Sequence, residues 1–190
     1  MSARERILDA AADIMRTQGV ARATTKEIAR AAGYSEALIY KHFRDKEELL
    51  SRVLLERMPS FTESLKPGEG TVAGNLTAFA HNALRFYRRA FPMMASFAAQ
   101  PALIAASRAN LERRDAGPRY PIDRLGAYLA AERDLGRLGP GVDPEALAAL
   151  LVGACFQQGF LHYFAVGPEG DDLPESVATA LVRALSPALG

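Results

Sequence analysis

The sequence predicts an all-α protein: an N-terminal three-helix unit carrying a helix-turn-helix, followed by a larger C-terminal helical bundle. Three observations predict it. Apolar residues recur at helical spacing from Ile7 to Leu185, with no strand-like alternation. Helix starts carry capping pairs: Ser2 with Glu5, Thr24 with Glu27 and Asp45 with Glu48. Helix stops carry glycine, at Gly19, Gly33, the Gly117-Pro118 pair and the GPG run at 139–141. At 190 residues and 49% hydrophobic content the chain can bury a substantial core without metal or disulfide.

The first helix opens at Ser2 and turns Ile7, Leu8, Ala11, Ala12 and Met15 inward, ending at Gly19 with Val20 placed to tuck back. Thr24 caps the second, whose apolar strip is Ile28, Ala29 and Ala32. Gly33 then makes the turn, because a C′ residue commonly takes positive φ. Ser35 caps the third helix, with Leu38, Ile39 and Phe43 mostly on one side. Small Ala29 lets the two helices approach, and Ile39 plugs the angle between them. Asp45 launches a fourth helix that carries Leu49, Leu50, Val53 and Leu54 inward, and Pro59 kinks or ends it. The KPGEG run at 66–70 is the clearest break. The expected division is a reader at 1–48, a connecting helix and linker at 49–70, and a helical domain at 71–190.

Beyond the break, Thr71 caps a helix through about Arg89 that buries Leu76, Phe79, Ala83 and Phe86. Pro92 suits the first turn of a short helix with Met93, Met94 and Phe97. Pro101 opens the next, and a further helix spans about Ile122 to Leu138. Asp143, with Pro144 behind it, starts the most apolar helix, which runs to about Ala165; the last begins at Leu173-Pro174 and ends near Leu185.

Helix, glycine turn, helix is the outline of a DNA reader. Between Arg22 and Lys46 stand six Lys/Arg against three acids, whereas the whole chain carries 23 against 22. The positive charge is local, as a phosphate-binding face requires. The outward positions are Ser35, Glu36, Ala37, Tyr40, Lys41 and His42. Lys41, Lys46, Tyr40 and the Thr25 hydroxyl are expected to hold phosphates, beside Thr24. Ser35, Glu36, Ala37 and Lys41 are expected to read bases: Ala37 a thymine methyl, Lys41 a guanine edge, Glu36 a cytosine amine. Arg4 and Arg6, near the start of the first helix, are each placed either to reach a DNA backbone or to stand solvated. A helical hairpin with a merely solvated charged face is the competing reading of the same residues.

The run GYSEALIYKHFRDKEELL, preceded by TTKEIARAAG, resembles the DNA-binding domain of the TetR family of bacterial transcriptional regulators. Thr25, Gly33, Ser35, Tyr40, Phe43, Lys46, Glu47 and Leu49 match that pattern, and Tyr34 departs from it where a small aliphatic residue is commoner; it is expected either to press on the recognition helix or to contact phosphate. The resemblance implies a homodimeric, ligand-responsive repressor that occludes a palindromic operator in double-stranded DNA, and the composition of the chain makes a cytoplasmic protein the expectation. The resemblance also implies a four-helix dimer interface from the last two helices, and an effector site in the larger domain. For the interface the expected residues are Leu147, Leu151, Ala154, Gln158, Leu161, Val177 and Leu181. For the effector, apolar or aromatic in character, they are Phe86, Met93, Met94, Phe97, Tyr128, Phe156 and Phe160. An activator of the same fold, or a helical protein-interaction module without DNA readout, are the alternatives.

Composition narrows the rest. The single cysteine, Cys155, excludes an intramolecular disulfide and a Cys-based zinc site, and its apolar helix predicts an inert thiol. Acids at Glu5, Asp9 and Asp13 do not suit a signal peptide. The most apolar run, Ala146 to Phe156, falls short of the roughly 18 residues of a membrane span, so no membrane partner is expected. No HExxH, GxSxG or phosphate-loop pattern occurs, and the three histidines are scattered. Neither an enzyme nor a cofactor is expected.

Overall fold

The computed structural model describes residues 1–57, 61–62, 65–111, 117–167 and 169–189, with 54, 55, 106, 107, 109–111 and 186–189 described by backbone alone. Among them the regular structure is entirely helical: α1 (Ala3–Gln18), a 3₁₀ turn (Val20–Arg22), α2 (Thr25–Ala32), α3 (Glu36–His42), α4 (Lys46–Glu56), α5 (Val72–Ala98), α6 (Pro101–Leu111), α7 (Tyr120–Asp134), α8 (Pro144–Val166) and α9 (Glu175–Leu189). They form two compact units: Met1–Met58 with Pro92–Gly117, and Pro59–Phe91 with Pro118–Gly190.

In the first unit α2 and α3 are too short to persist alone and are held by burial. Ile7, Leu8 and Met15 of α1, Ile28 of α2, Ile39 of α3 and Leu49 and Leu50 of α4 are all fully enclosed in one core. Ala29 is buried where α2 meets its neighbours, as its small size allows. Gly33 takes the left-handed conformation (φ 75°, ψ 33°), and the Tyr34 N–H donates back to the Ala29 carbonyl. That positive φ is what a side chain would resist. Ion pairs join α1 to α4. Arg4 binds Glu56 with both terminal nitrogens (2.8 and 2.7 Å), and Arg57 reaches Glu5 and Asp9.

Three expectations change on this side. Met93 and Leu103 are buried in the first unit's core, with Phe97 packed against it, so 92–117 groups with the N-terminal helices; the sequence assigned it to 71–190. No new helix starts at Pro92, which lies inside α5. Proline's fixed φ fits a helix, so the chain runs on with one N–H fewer to donate. Ser35 occupies the N-cap of α3, but its hydroxyl makes no capping hydrogen bond.

In the second unit α8 packs along α7 and meets α9. Asp143 caps α8 by accepting from the N–H groups of Glu145 and Ala146. Gly159 marks a close helix approach: a Cβ there would lie 2.9 Å from the Arg88 nitrogen and from Tyr87 Cβ. Cys155 is fully buried beside the Ala80 carbonyl, and burial pushes its thiol up to about 12. Glu132, also fully buried, accepts from the Gly68 N–H (3.1 Å) and pairs with Arg137 (3.0 Å). Asp172 gathers Arg85, Arg88 and Arg89 around one carboxylate. By length and composition α8, at 23 residues, is apolar enough to cross a membrane, which corrects the shorter run read from sequence. Core helices of soluble proteins pass the same test.

Candidate nucleic-acid interface

The turn at Gly33 leaves one flank of α3 outward. Ser35, Glu36, Ala37, Tyr40, Lys41 and His42 are exposed, while Ile39 beneath them is fully buried. Tyr40 keeps 53% of its surface, a large aromatic half open to solvent. The buried side fixes the helix; the outer side is available.

The α2 cap contributes differently at its two threonines. Thr24 is exposed and accepts from the Glu27 N–H (3.2 Å). Glu27 does not complete the box; its carboxylate binds Arg30 (2.7 Å). Thr25 is buried, and its hydroxyl donates to the Glu36 carboxylate. That bond engages the hydroxyl expected to meet a phosphate and pins the side chain expected to read a base. At α4, Asp45 accepts from the Glu48 N–H (2.7 Å), and Glu48 in turn accepts from the Arg44 N–H (2.9 Å). The hydrogen bond from Arg44, then the one from Glu48, holds the Asp45 carboxyl below its ordinary range. Lys46, half-buried, is the first residue of α4.

Ion pairing sorts the cations of this unit. Arg4, Arg16, Arg30, Arg44, Arg52 and Arg57 each pair with a carboxylate. Among the described residues, Arg6, Arg22, Lys26, Lys41, Lys46 and Arg108 have none within 4.0 Å. The two arginines at the start of α1 therefore part company. Arg4 is bound by Glu56 and stacks over Phe43, 5.5 Å from the ring centre. Arg6 lies over the Tyr34 ring at 5.1 Å, with Nη1 3.4 Å from the phenol oxygen. The sequence placed Arg6 either at a DNA backbone or in solvent and marked Tyr34 as a departure from the family pattern, but gave no sign that the two would stack on one another. Which arginine carries an acidic partner depends on the fold, and spacing along the chain does not reveal it.

The expected effector residues are divided between the two units. Phe86, Phe156 and Phe160 join a run of touching rings in the second unit. Phe61 contacts Phe86 (4.8 Å), Tyr87 contacts Phe156 (5.4 Å) and Phe91 contacts Phe160 (4.7 Å). Phe61, Tyr87 and Phe91 were missed. Tyr128 is outside that run; its hydroxyl accepts from Asn75 (2.9 Å), and burial pushes its phenol up to about 12. Met93, Met94 and Phe97 belong to the first unit.

The expected dimer residues divide by burial. Leu147 and Leu151 are buried, at 5% and 1% exposure, and offer almost no surface of their own. Ala154, Gln158, Val177 and Leu181 are half-buried and Leu161 is exposed. The open apolar stripe of α8 is instead Leu150, Leu161 and Phe164, with Gly153 and Gln157 between them. Because α8 is apolar around most of its circumference, sequence left its rotation undetermined. Among the described residues no cluster of three or more His, Cys, Asp or Glu is placed to hold a metal ion.

Residues 7–53 match the family model described as bacterial regulatory proteins, tetR family. The transcriptional regulator SrpR of Pseudomonas putida is 40% identical over 67 residues, which cover 35% of this chain and 32% of that protein. The match thus spans about a third of that relative's length. Over nearly the whole chain, the structure resembles SmeT, the repressor of the Stenotrophomonas maltophilia multidrug efflux pump SmeDEF. SmeT is 27% identical, with a TM-score of 0.66 and coverage of 100% of this chain and 92% of that one. The fold is also that of the regulator FadR from Bacillus subtilis in complex with stearoyl-CoA, at 17% identity, with a TM-score of 0.72 and coverage of 98% and 99%.

Proposed function

Since this chain is a member of the tetR family of bacterial regulatory proteins, we propose that it is a cytoplasmic, homodimeric repressor that binds a palindromic operator and leaves it when a small molecule binds. One observation carries the reading: α3 presents a polar and basic face over an enclosed Ile39, with Lys41 and Lys46 bare of carboxylates. An ion-paired lysine would have to exchange its partner for a phosphate. A bare one only releases water, and the displaced DNA counterions drive binding.

In this reading Lys41, Lys46, Tyr40 and Thr24 hold the backbone, while Ser35, Glu36, Ala37 and Lys41 meet base edges in the major groove. His42 flanks them. Thr25 acts through Glu36. Two-fold symmetry is supplied by the Leu150–Phe164 stripe of α8, whose apolar side chains one chain leaves in water. The effector is apolar or aromatic, in keeping with the run of rings in the second unit. SmeT, the repressor of a multidrug efflux pump, and FadR in complex with stearoyl-CoA lend support. The effector releases DNA to the extent that it prefers the conformation unfit for binding.

Selection of bound sequences from random duplexes tests the core of it. The expected result is enrichment of an inverted repeat whose half-sites lie about one DNA turn apart. No enrichment at low salt, from a chain that sediments as a folded protein, overturns the reading.

A further inference from the structure

Arg6 and Tyr34 form a pair that neither the capping of the helices nor the core requires. The guanidinium lies 5.1 Å from the ring centre, and its Nη1 is 3.4 Å from the phenol oxygen. A Cβ built on Gly33 would meet Arg6 Nη2 at 3.6 Å, so the guanidinium rests against the turn itself. Tyr34 is half-buried and packs against the first unit's core, which steadies the ring. Arg6 is exposed and has no carboxylate within 4.0 Å among the described residues. Its neighbour Arg4, two residues earlier, is neutralised by Glu56.

We infer that Arg6, positioned by the ring of Tyr34, is a backbone-phosphate contact at the entry of α3. The inference rests on the DNA-binding reading above. Tyr34 immediately precedes Ser35, so the guanidinium sits at the end of α3 that enters a groove first, where the phosphates lining that groove pass closest. Arginine binds phosphate with two parallel N–H donors, provided its plane is already oriented. Stacking on an aromatic ring supplies that orientation, and with Nη1 donating to the Tyr34 hydroxyl the remaining N–H groups are left for a phosphate. An arginine held only as a brace would ordinarily find a counter-charge, as Arg4 and Arg57 do. Arg6 carries its full charge to the surface.

The test is a salt titration of binding by the full chain to its selected duplex and to a random one, with a thermal melt of each variant. For Arg6→Ala the log–log salt slope is expected to fall by about 0.9, so that its affinity loss between 50 and 200 mM salt is about three- to four-fold smaller than the native protein's. Affinity drops by the same factor on both duplexes. Arg6→Lys keeps the slope. Tyr34→Phe binds as the native chain does, whereas Tyr34→Leu binds more weakly on both duplexes at an unchanged melting temperature. An Arg6→Ala chain with native slope overturns the inference, and so does a Tyr34→Leu chain with native affinity. A lowered melting temperature with native slope identifies a brace and overturns it too. If the native chain itself shows no salt-sensitive binding, the DNA-binding reading has failed instead.

Discussion

The hydroxyl of Thr25 donates to the carboxylate of Glu36, linking the first residue of α2 to the first residue of α3 across the Gly33 turn. A group that reads bases gains selectivity when its rotamer is fixed in advance, and this bond fixes Glu36. Thr25→Val keeps the shape and removes the donor. It is expected to retain the native salt slope while broadening base preference beneath the start of α3, at a stability cost of about 1 kcal/mol. Repeating the duplex selection with the variant checks this. Weaker binding to every duplex, with unchanged slope and unchanged base preference, would return Thr25 to the role of a phosphate contact.

Lys41 and Lys46 separate in the same measurements. Lys46→Ala should lower the salt slope by about 0.9 and weaken all duplexes equally. Lys41→Ala should also cost about 1–3 kcal/mol of discrimination at one base pair. Competition between the selected duplex and single-position variants resolves the difference.

Acid should loosen the first unit through Glu56. The hydrogen bond from Arg4 is the main reason its carboxyl titrates below the ordinary glutamate value of 4.5. A depressed folded value means that the stabilisation is complete above the unfolded value and disappears as pH falls through the folded one. The two side chains keep 32% and 23% of their surface, so screening limits the pair to about 1 kcal/mol. Glu56→Gln is therefore expected to melt about 2–4 °C lower at neutral pH, with the two melting curves converging in acid. Parallel curves down to acid pH would assign the stability elsewhere.

Adjacent leucines of α8 should behave oppositely. Leu150→Glu, at a site 64% exposed, is expected to leave the chain folded and sedimenting as a monomer. Leu151→Ala, at 1% exposure, is expected to cost about 2–5 kcal/mol of unfolding free energy while the folded fraction still dimerises. Sedimentation velocity with a denaturant melt checks both. A dimeric Leu150→Glu chain would remove the stripe from the interface.

The parts legible in the sequence were those set by local chemistry. Ser2, Thr24 and Asp45 cap as expected because an N-cap bond spans three residues, and Gly33 turns because only its own φ is at issue. The outward face of α3 was legible because its polar side chains offset an isolated Ile39. Tertiary choices were not. The rotation of α8 needs a polar side to declare it, and this helix has almost none. Met93, Leu103 and Phe97 read equally well as partners of either unit. Glu132 gave no signal, since a lone acid in a helix ordinarily faces water and here is fully enclosed with Gly68 and Arg137.

Cys155 is the one thiol in the chain, and it is both enclosed and held in its protonated form at neutral pH. A maleimide or nitroxide reagent will therefore find almost no background on the native protein. A single cysteine introduced on the outer surface of α1 would take the label alone, without first replacing the native one. Two such probes in a paired assembly could then act as a molecular ruler, reporting how far apart the reading helices stand with and without a candidate inducer.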